Sequence, residues 1–241
     1  MKSVGLFVAA GSFLLGMNAV APAQEPKWHD EAELMYVDTS GNTDVTTLSA
    51  KNTLTVPFTA KTQGTWKLGG LYGKSEGTKN AENYFTEIRV DHSYTGQIYS
   101  FGYGGWLKDR FAGIDARYYL GAGGGYKFYT GPKHLLLGEA GLTYTKEDYI
   151  DNTDSDFLGG RLFGKYEYRF NEKNKLTQSL EWLPNFRTFD NWYLNSETAV
   201  LSALNSWLSL KASYLVKYNN NPVENLKKTD TTLGVALVAN F

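Results

Sequence analysis

The chain has 241 residues, with 25 Gly, 17 Tyr, 13 Phe and 6 Trp, no Cys, and a formal net charge of −1. The lack of cysteine excludes a disulfide scaffold, a thiolate metal site and a cysteine nucleophile, and the charge balance gives no basic footprint for nucleic acid. A mean hydropathy of −0.38 is too low for a bundle of membrane helices, yet suits a membrane barrel, whose strands are only half apolar.

The N-terminus sets the expected compartment. Lys2 supplies a positive start, Val4 to Leu15 form an apolar stretch, and Ala21-Pro22-Ala23 offers an A-x-A cleavage site ahead of Gln24. That order is the secretory signal-peptide pattern. The run is shorter than the ~20 apolar residues of a spanning helix. Residues 1–23 are therefore expected to be removed, with 24–241 as one domain.

From Trp28 onward the apolar residues recur with period 2, the mark of half-buried strands. Trp28, Ala32, Leu34 and Tyr36 oppose Glu31 and Glu33. Leu48, Ala50, Leu54 and Val56 oppose Thr47 and Lys51. Trp66, Leu68 and Tyr72 oppose Lys67, Gly69 and Gly73. Tyr84, Ile88, Val90 and Tyr94 oppose Glu87, Arg89 and Asp91. In the fifth strand Tyr99, Phe101, Tyr103 and Leu107 are expected outside, with Ser100, Gly102 and Gly104 inside. Tyr118, Leu120, Ala122, Tyr126 and Phe128 oppose Arg117, Gly121, Gly123 and Lys127.

Leu136, Ala140, Leu142 and Tyr144 oppose Glu139 and Gly141. Leu158, Leu162, Tyr166, Tyr168 and Phe170 oppose Arg161, Lys165, Glu167 and Arg169. Leu176, Leu180 and Trp182 oppose Thr177, Ser179 and Glu181. Leu194, Thr198, Val200 and Leu204 oppose Asn195 and Glu197. Leu208, Leu210, Ala212, Tyr214 and Val216 oppose Lys211 and Lys217, and the last strand carries Leu233, Val235, Leu237 and Phe241 on one side. Pro57, Pro132, Pro184 and Pro222 fall at strand ends or in loops, where no ladder bond is lost. Twelve strands joined by alternating short and longer connections predict an all-β fold: a twelve-stranded antiparallel transmembrane barrel of the outer-membrane type.

A soluble barrel would turn the apolar face inward. Aromatics argue for the membrane form. Tyr94, Tyr99, Phe128, Tyr129, Tyr168, Phe170 and Trp207 gather near the short turns, and Tyr36, Tyr72, Tyr84, Tyr118, Tyr144, Trp182 and Tyr218 lie towards the longer loops. Such girdles sit at the two headgroup levels of a membrane barrel. The charged mid-strand residues of the other face suit a wet lumen.

Phe241 ends the chain, with Leu233, Val235, Leu237 and Ala239 at alternate positions before it. This resembles the C-terminal signal by which Gram-negative outer-membrane proteins are recognised by the barrel assembly machinery. The first hairpin, Tyr36-Val37 ahead of Thr39-Ser40-Gly41-Asn42-Thr43, resembles the YdiY-like family of outer-membrane proteins classed as salt-induced. There an aromatic-bearing opening strand leads into an S-G-N-T turn. The resemblance implies fold and location over nearly the whole mature chain. The family is itself a domain of unknown function and implies no chemistry.

Little in the sequence carries catalysis. His29, His92 and His134 are all expected near the short-turn rim. His92 and Ser93 are adjacent on one strand, so they point to opposite faces and form no dyad. The run Gly121-Ala122-Gly123-Gly124-Gly125 is followed by strand rather than by the helix a phosphate loop requires. Its inward glycines, with Gly102, Gly104, Gly141 and Gly159, are read as curvature and as room for a large side chain such as Arg117 or Tyr119. Asp148, Asp151, Asp154 and Asp156 crowd one loop without calcium-loop spacing.

The lumen is the informative constellation. Eight inward acids (Glu31, Glu33, Glu87, Asp91, Glu139, Glu167, Glu181, Glu197) face ten bases (Lys51, Lys67, Arg89, Arg117, Lys127, Arg161, Lys165, Arg169, Lys211, Lys217). Eight strands close on their own side chains and sixteen leave an open channel; twelve lie between. The expectation is a barrel that is either structural or a narrow passive channel for small polar or anionic solutes. Arg117, Lys127, Arg161, Lys165, Glu87, Arg89, Glu139 and Glu197 are its lining residues. An outer-membrane-embedded hydrolase of lipase or protease type and a surface-binding barrel are the alternatives. No catalytic, cofactor or metal site is expected. The expected partners are outer-membrane lipid, lipopolysaccharide and the assembly machinery, around a monomer.

Overall fold

The structure, a computed structural model, describes residues 28–40, 45–75, 78–222 and 226–241. Ala21, Ala23 and Gln24 of the expected cleavage site, and Gly41-Asn42-Thr43 of the first turn, lie outside the described residues. Twelve strands make up nearly all of the remainder: β1 (His29–Ser40), β2 (Val45–Pro57), β3 (Thr62–Ser75), β4 (Thr78–Ser93), β5 (Ile98–Asp109), β6 (Ile114–Thr130), β7 (His134–Tyr149), β8 (Asp154–Arg169), β9 (Asn174–Pro184), β10 (Trp192–Ala203), β11 (Leu208–Asn219) and β12 (Thr229–Asn240). Each pairs antiparallel with its chain neighbours, and β1 pairs with both β2 and β12, so the sheet closes on itself. Closure removes the edge that an open sheet would expose in lipid. The seam ends at the terminal aromatic: Phe241 N donates to Asp30 O (2.9 Å) and Asp30 N to Phe241 O (3.2 Å).

The side chains turned outwards are those that period 2 places there. Leu48, Ile88, Leu120, Leu142, Leu158, Leu162, Leu180, Leu210, Leu233, Val235 and Leu237 are all exposed on the barrel's outside. A soluble barrel would bury this set. Tyr94, Phe128, Tyr129, Phe170 and Trp207 ring the short-turn end, and Tyr72, Tyr118, Tyr144 and Trp182 the other.

Two expectations are corrected. The contrast in loop length is smaller than the sequence suggests: β6 has 17 residues and β4, β7 and β8 have 16, against the ~9–11 needed to cross a bilayer. By the bounds of the described strands, the connections 185–191 and 220–228 are longer than the short turns. Charges near Lys146 and Asp148 interrupt the apolar alternation but not the backbone ladder, which continues to Asp148↔Asp154.

The second correction concerns β5, whose faces are inverted. Tyr99 and Phe101 are 7% and 4% exposed. With Tyr103 and Leu107 they lie on the lumen side, and Tyr99 belongs to no girdle. Ile98, opposite Tyr126, and Trp106, opposite Tyr118, share the lipid-side face with Gly102 and Gly104.

Candidate functional site

The inverted face of β5 explains the glycines of β6. Register places Tyr99 opposite Gly125, Phe101 opposite Gly123 and Tyr103 opposite Gly121. Opposed residues of an antiparallel pair share a face at close range. A side chain on Gly121 or Gly125 would overlap the Tyr103 or Tyr99 ring. On Gly123 a Cβ would lie 2.7 Å from Phe101 Cζ and 2.7 Å from Gly141 Cα. The room is therefore taken by the aromatics of the adjacent strand. Neither Arg117 nor Tyr119 occupies it, and Tyr119 covers Gly105 instead. Of the seven glycines expected inside, Gly102 and Gly104 face out.

An ion network lies against this aromatic wall. Glu139 on β7 accepts from Arg89 Nη2 (2.7 Å), Arg161 Nη1 (2.6 Å) and the Tyr99 hydroxyl (2.8 Å). Arg89 also holds Asp91 (2.7 Å), and Arg161 holds Glu181 (2.6 Å). The Arg89 guanidinium lies 4.3 Å from the Phe101 ring centre, and that of Arg161 lies 4.7 Å from Phe163. Each of the two arginines bridges two carboxylates and covers a ring, which holds this side of the lumen shut.

A second knot sits towards the longer loops. Arg117 on β6 pairs with the fully buried Glu147 of β7, and its guanidinium lies 4.7 Å from the Tyr193 ring of β10. The contact is an ion pair rather than an aligned hydrogen bond, because Nε and Nη2 find no acceptor in good geometry. Tyr149 and Tyr193 both donate to Glu147. Further round, Lys217 of β11 reaches Asp109 of β5 (3.9 Å), a chord across half the ring. Glu147, absent from the expected lining, lies on the stretch of β7 beyond Tyr144, where the apolar alternation stops.

What remains open is a cavity of about 1070 Å³. It reaches from Thr59, Ala60 and Lys61 beside a short turn to Asp109, Ala112 and Asp230 at the far end. Short side chains, including Ser213 of β11 and Thr231 of β12, line it across the ring from the aromatic wall. Arg117, Lys127, Arg161, Lys165, Glu87, Arg89, Glu139 and Glu197 all border it. Their pairing separates them. Every carboxylate on the cavity has a partner; for example Glu87 pairs with Lys67 (3.4 Å), and Glu33 and Glu197 share Lys211 (3.1 and 2.9 Å). Lys51, Lys61, Lys127 and Lys165 border the same space, and among the described residues none of them forms a salt bridge. Lys127 instead lies 5.7 Å from the Tyr99 ring centre.

Residues 32–241 match the family described as "Protein of unknown function, DUF481". The chain belongs to this family. It is 28% identical over 256 residues to the uncharacterized protein YdiY of Escherichia coli (strain K12), covering 98% of this chain and 99% of that one. Among solved structures, this DUF481 barrel resembles the NanC porin (TM-score 0.61, 7% identity, 86% of this chain and 98% of that one). It also resembles the translocator domain of the autotransporter NalP from Neisseria meningitidis (0.55, 14%, 89% and 88%). A third likeness is to an outer-membrane channel from Pseudomonas putida F1 (0.52, 12%, 92% and 100%). At such identities the shared property is the fold, a closed barrel of the outer-membrane type.

The histidines of the DUF481 barrel lie away from the cavity lining. His92 Nδ1 meets Thr62 Oγ1 at 2.9 Å, and His134 Nδ1 meets the Tyr166 hydroxyl at 2.8 Å. The rings pack on Tyr94 and Tyr168, both centroids at 4.9 Å, so both histidines belong to the short-turn girdle. Asp151 accepts from the backbone N and the hydroxyl of Thr153 and so closes its own turn. Among the described residues, no three His, Asp or Glu side chains gather as metal ligands.

Proposed function

We propose that this protein sits in the outer membrane of a Gram-negative cell and acts as a narrow passive channel for small polar and anionic solutes. The observation that carries the reading is a cavity of about 1070 Å³ bordered by residues from both ends of the barrel. Four of its lining lysines, Lys51, Lys61, Lys127 and Lys165, make no salt bridge among the described residues, while its carboxylates are all paired. Basic linings favour anions in a constricted pore. The exposed apolar band between two aromatic girdles supports insertion in lipid, with the longer loops outside and the short turns in the periplasm. Lipid, lipopolysaccharide and the assembly machinery are its proposed partners, and the closed β1–β12 seam is compatible with a monomer.

The reading is non-enzymatic. His92 and His134 find hydroxyl partners in the girdle, not a nucleophile and acid at the lumen. A specific observation favours a plugged structural barrel as the second reading: the Arg117–Glu147–Tyr193 knot and the Lys217–Asp109 chord cross the lumen near the longer loops. Liposome swelling separates the two. Proteoliposomes of the refolded protein are expected to swell in isosmotic glycine or acetate and to resist a trisaccharide. Swelling no faster than protein-free liposomes in every solute would leave the plugged barrel.

A further inference from the structure

Lys51 lies on β2 and Lys165 on β8, and in a ring of twelve these strands are half the circumference apart. Both nevertheless border one cavity. Both also fall within electrostatic reach of the same carboxylate, Glu197 on β10. That carboxylate is already held by Lys211 at 2.9 Å, and Lys211 also holds Glu33 at 3.1 Å. Lys67, the next base around, is held to Glu87. The lumen therefore carries two ammonium groups, aimed inward from opposite walls, whose N–H donors find no carboxylate at salt-bridge distance among the described residues. An ammonium offers three donors and no acceptor, and these strengthen when the acceptor is anionic.

We propose that the space between Lys51 and Lys165 is a binding site for a small doubly charged oxyanion, a dicarboxylate or a phosphate, whose oxygens accept from both walls. A monovalent halide has neither the second charge nor the several acceptor oxygens needed to engage both lysines, so it passes where a dianion lingers. The site rests on the channel reading only for the route by which the solute arrives. Lys127 and Lys61, nearer the short turns, place further unbridged positive charge along that route.

The test uses the refolded full-length mature barrel in planar bilayers, carrying chloride current, with succinate or inorganic phosphate added to one side. Millimolar dianion is expected to reduce the chloride current of the wild type. In Lys51→Gln and in Lys165→Gln the concentration for half-block should rise about tenfold, the loss of one charge-assisted hydrogen bond. Lys133→Gln, on a short turn, should behave as wild type. Block by succinate alone assigns a dicarboxylate, and block by phosphate alone assigns a phosphate. Neither lysine makes a salt bridge, so both variants should keep the heat-modifiable mobility of the folded barrel. Calorimetric titration of the detergent-solubilised protein with the same two anions provides a second readout. Binding without conductance would sink the channel and leave the site. Conductance with no dianion block and no heat of binding, or block unchanged in both lysine variants, would overturn the site and leave the channel.

Discussion

Glu139→Leu is expected to destabilise the folded barrel by about 3–5 kcal/mol, the usual cost of breaking a buried ion pair by removing one partner. The carboxylate stands at the centre of the lumen network and accepts from Arg89, Arg161 and Tyr99. Its loss leaves two guanidiniums side by side. Arg89 retains Asp91 and Arg161 retains Glu181, so neither is stripped of all partners, but the charge that screens one from the other is gone. Leucine fills the volume without accepting a hydrogen bond, and an unmade bond is the expensive case. Glu139→Gln should cost less, because its carbonyl still accepts from one donor. Urea unfolding of the refolded protein, followed by tryptophan fluorescence, measures both. A Leu variant with an unchanged midpoint would mean that the network is solvated and does not brace the wall.

The second large effect lies in the wall behind that network. Gly123→Val is expected to cost about 2–3 kcal/mol, the upper part of the range for overpacking a filled site. A Cβ there meets both Phe101 Cζ and the backbone at Gly141 Cα at 2.7 Å, so the new side chain cannot be absorbed by a rotamer change alone. Gly102→Val is the control. It is one strand away on the opposite face, where a Cβ approaches nothing closer than 3.9 Å, and its effect should stay within about 0.5 kcal/mol. Equal costs at the two positions would restore the opposite phase for β5 and remove the aromatic wall.

Much of this architecture is legible in the sequence because lipid imposes one requirement on every strand. The outward face must be apolar along the membrane-crossing stretch, so Leu120, Leu142 or Leu237 declares the phase of its strand without help from neighbours. The fifth strand escapes that logic because its two faces are both compatible with lipid. Tyr99, Phe101 and Tyr103 are apolar enough to face out, and Gly102 and Gly104 leave no contrary signal. The contrary signal lies one strand on: inward glycines at 121, 123 and 125 leave three gaps in register, which three large residues at alternate positions of a neighbour fill.

Which charges are committed is not readable in the same way. The near balance of lumen acids and bases is visible in the composition of the strands. That Arg161 is taken up by Glu139 and Glu181 while Lys165, four residues on, makes no salt bridge depends on register and on closure of the ring. These bring β2 and β8 to one cavity although 114 positions separate Lys51 from Lys165 in sequence. Glu147 was missed for a related reason: beyond Tyr144 the alternation turns polar, and a strand that continues past the membrane looks like a loop.

If the lumen conducts past the unbridged lysines of β2, β6 and β8, it favours anions, and the reversal potential of single-channel currents through the refolded wild-type barrel in a potassium chloride gradient measures that preference. Discrete openings of small conductance are expected, with a reversal potential displaced towards the chloride equilibrium value. Displacement towards the potassium value, or a bilayer that stays silent with folded protein inserted, would contradict the channel reading.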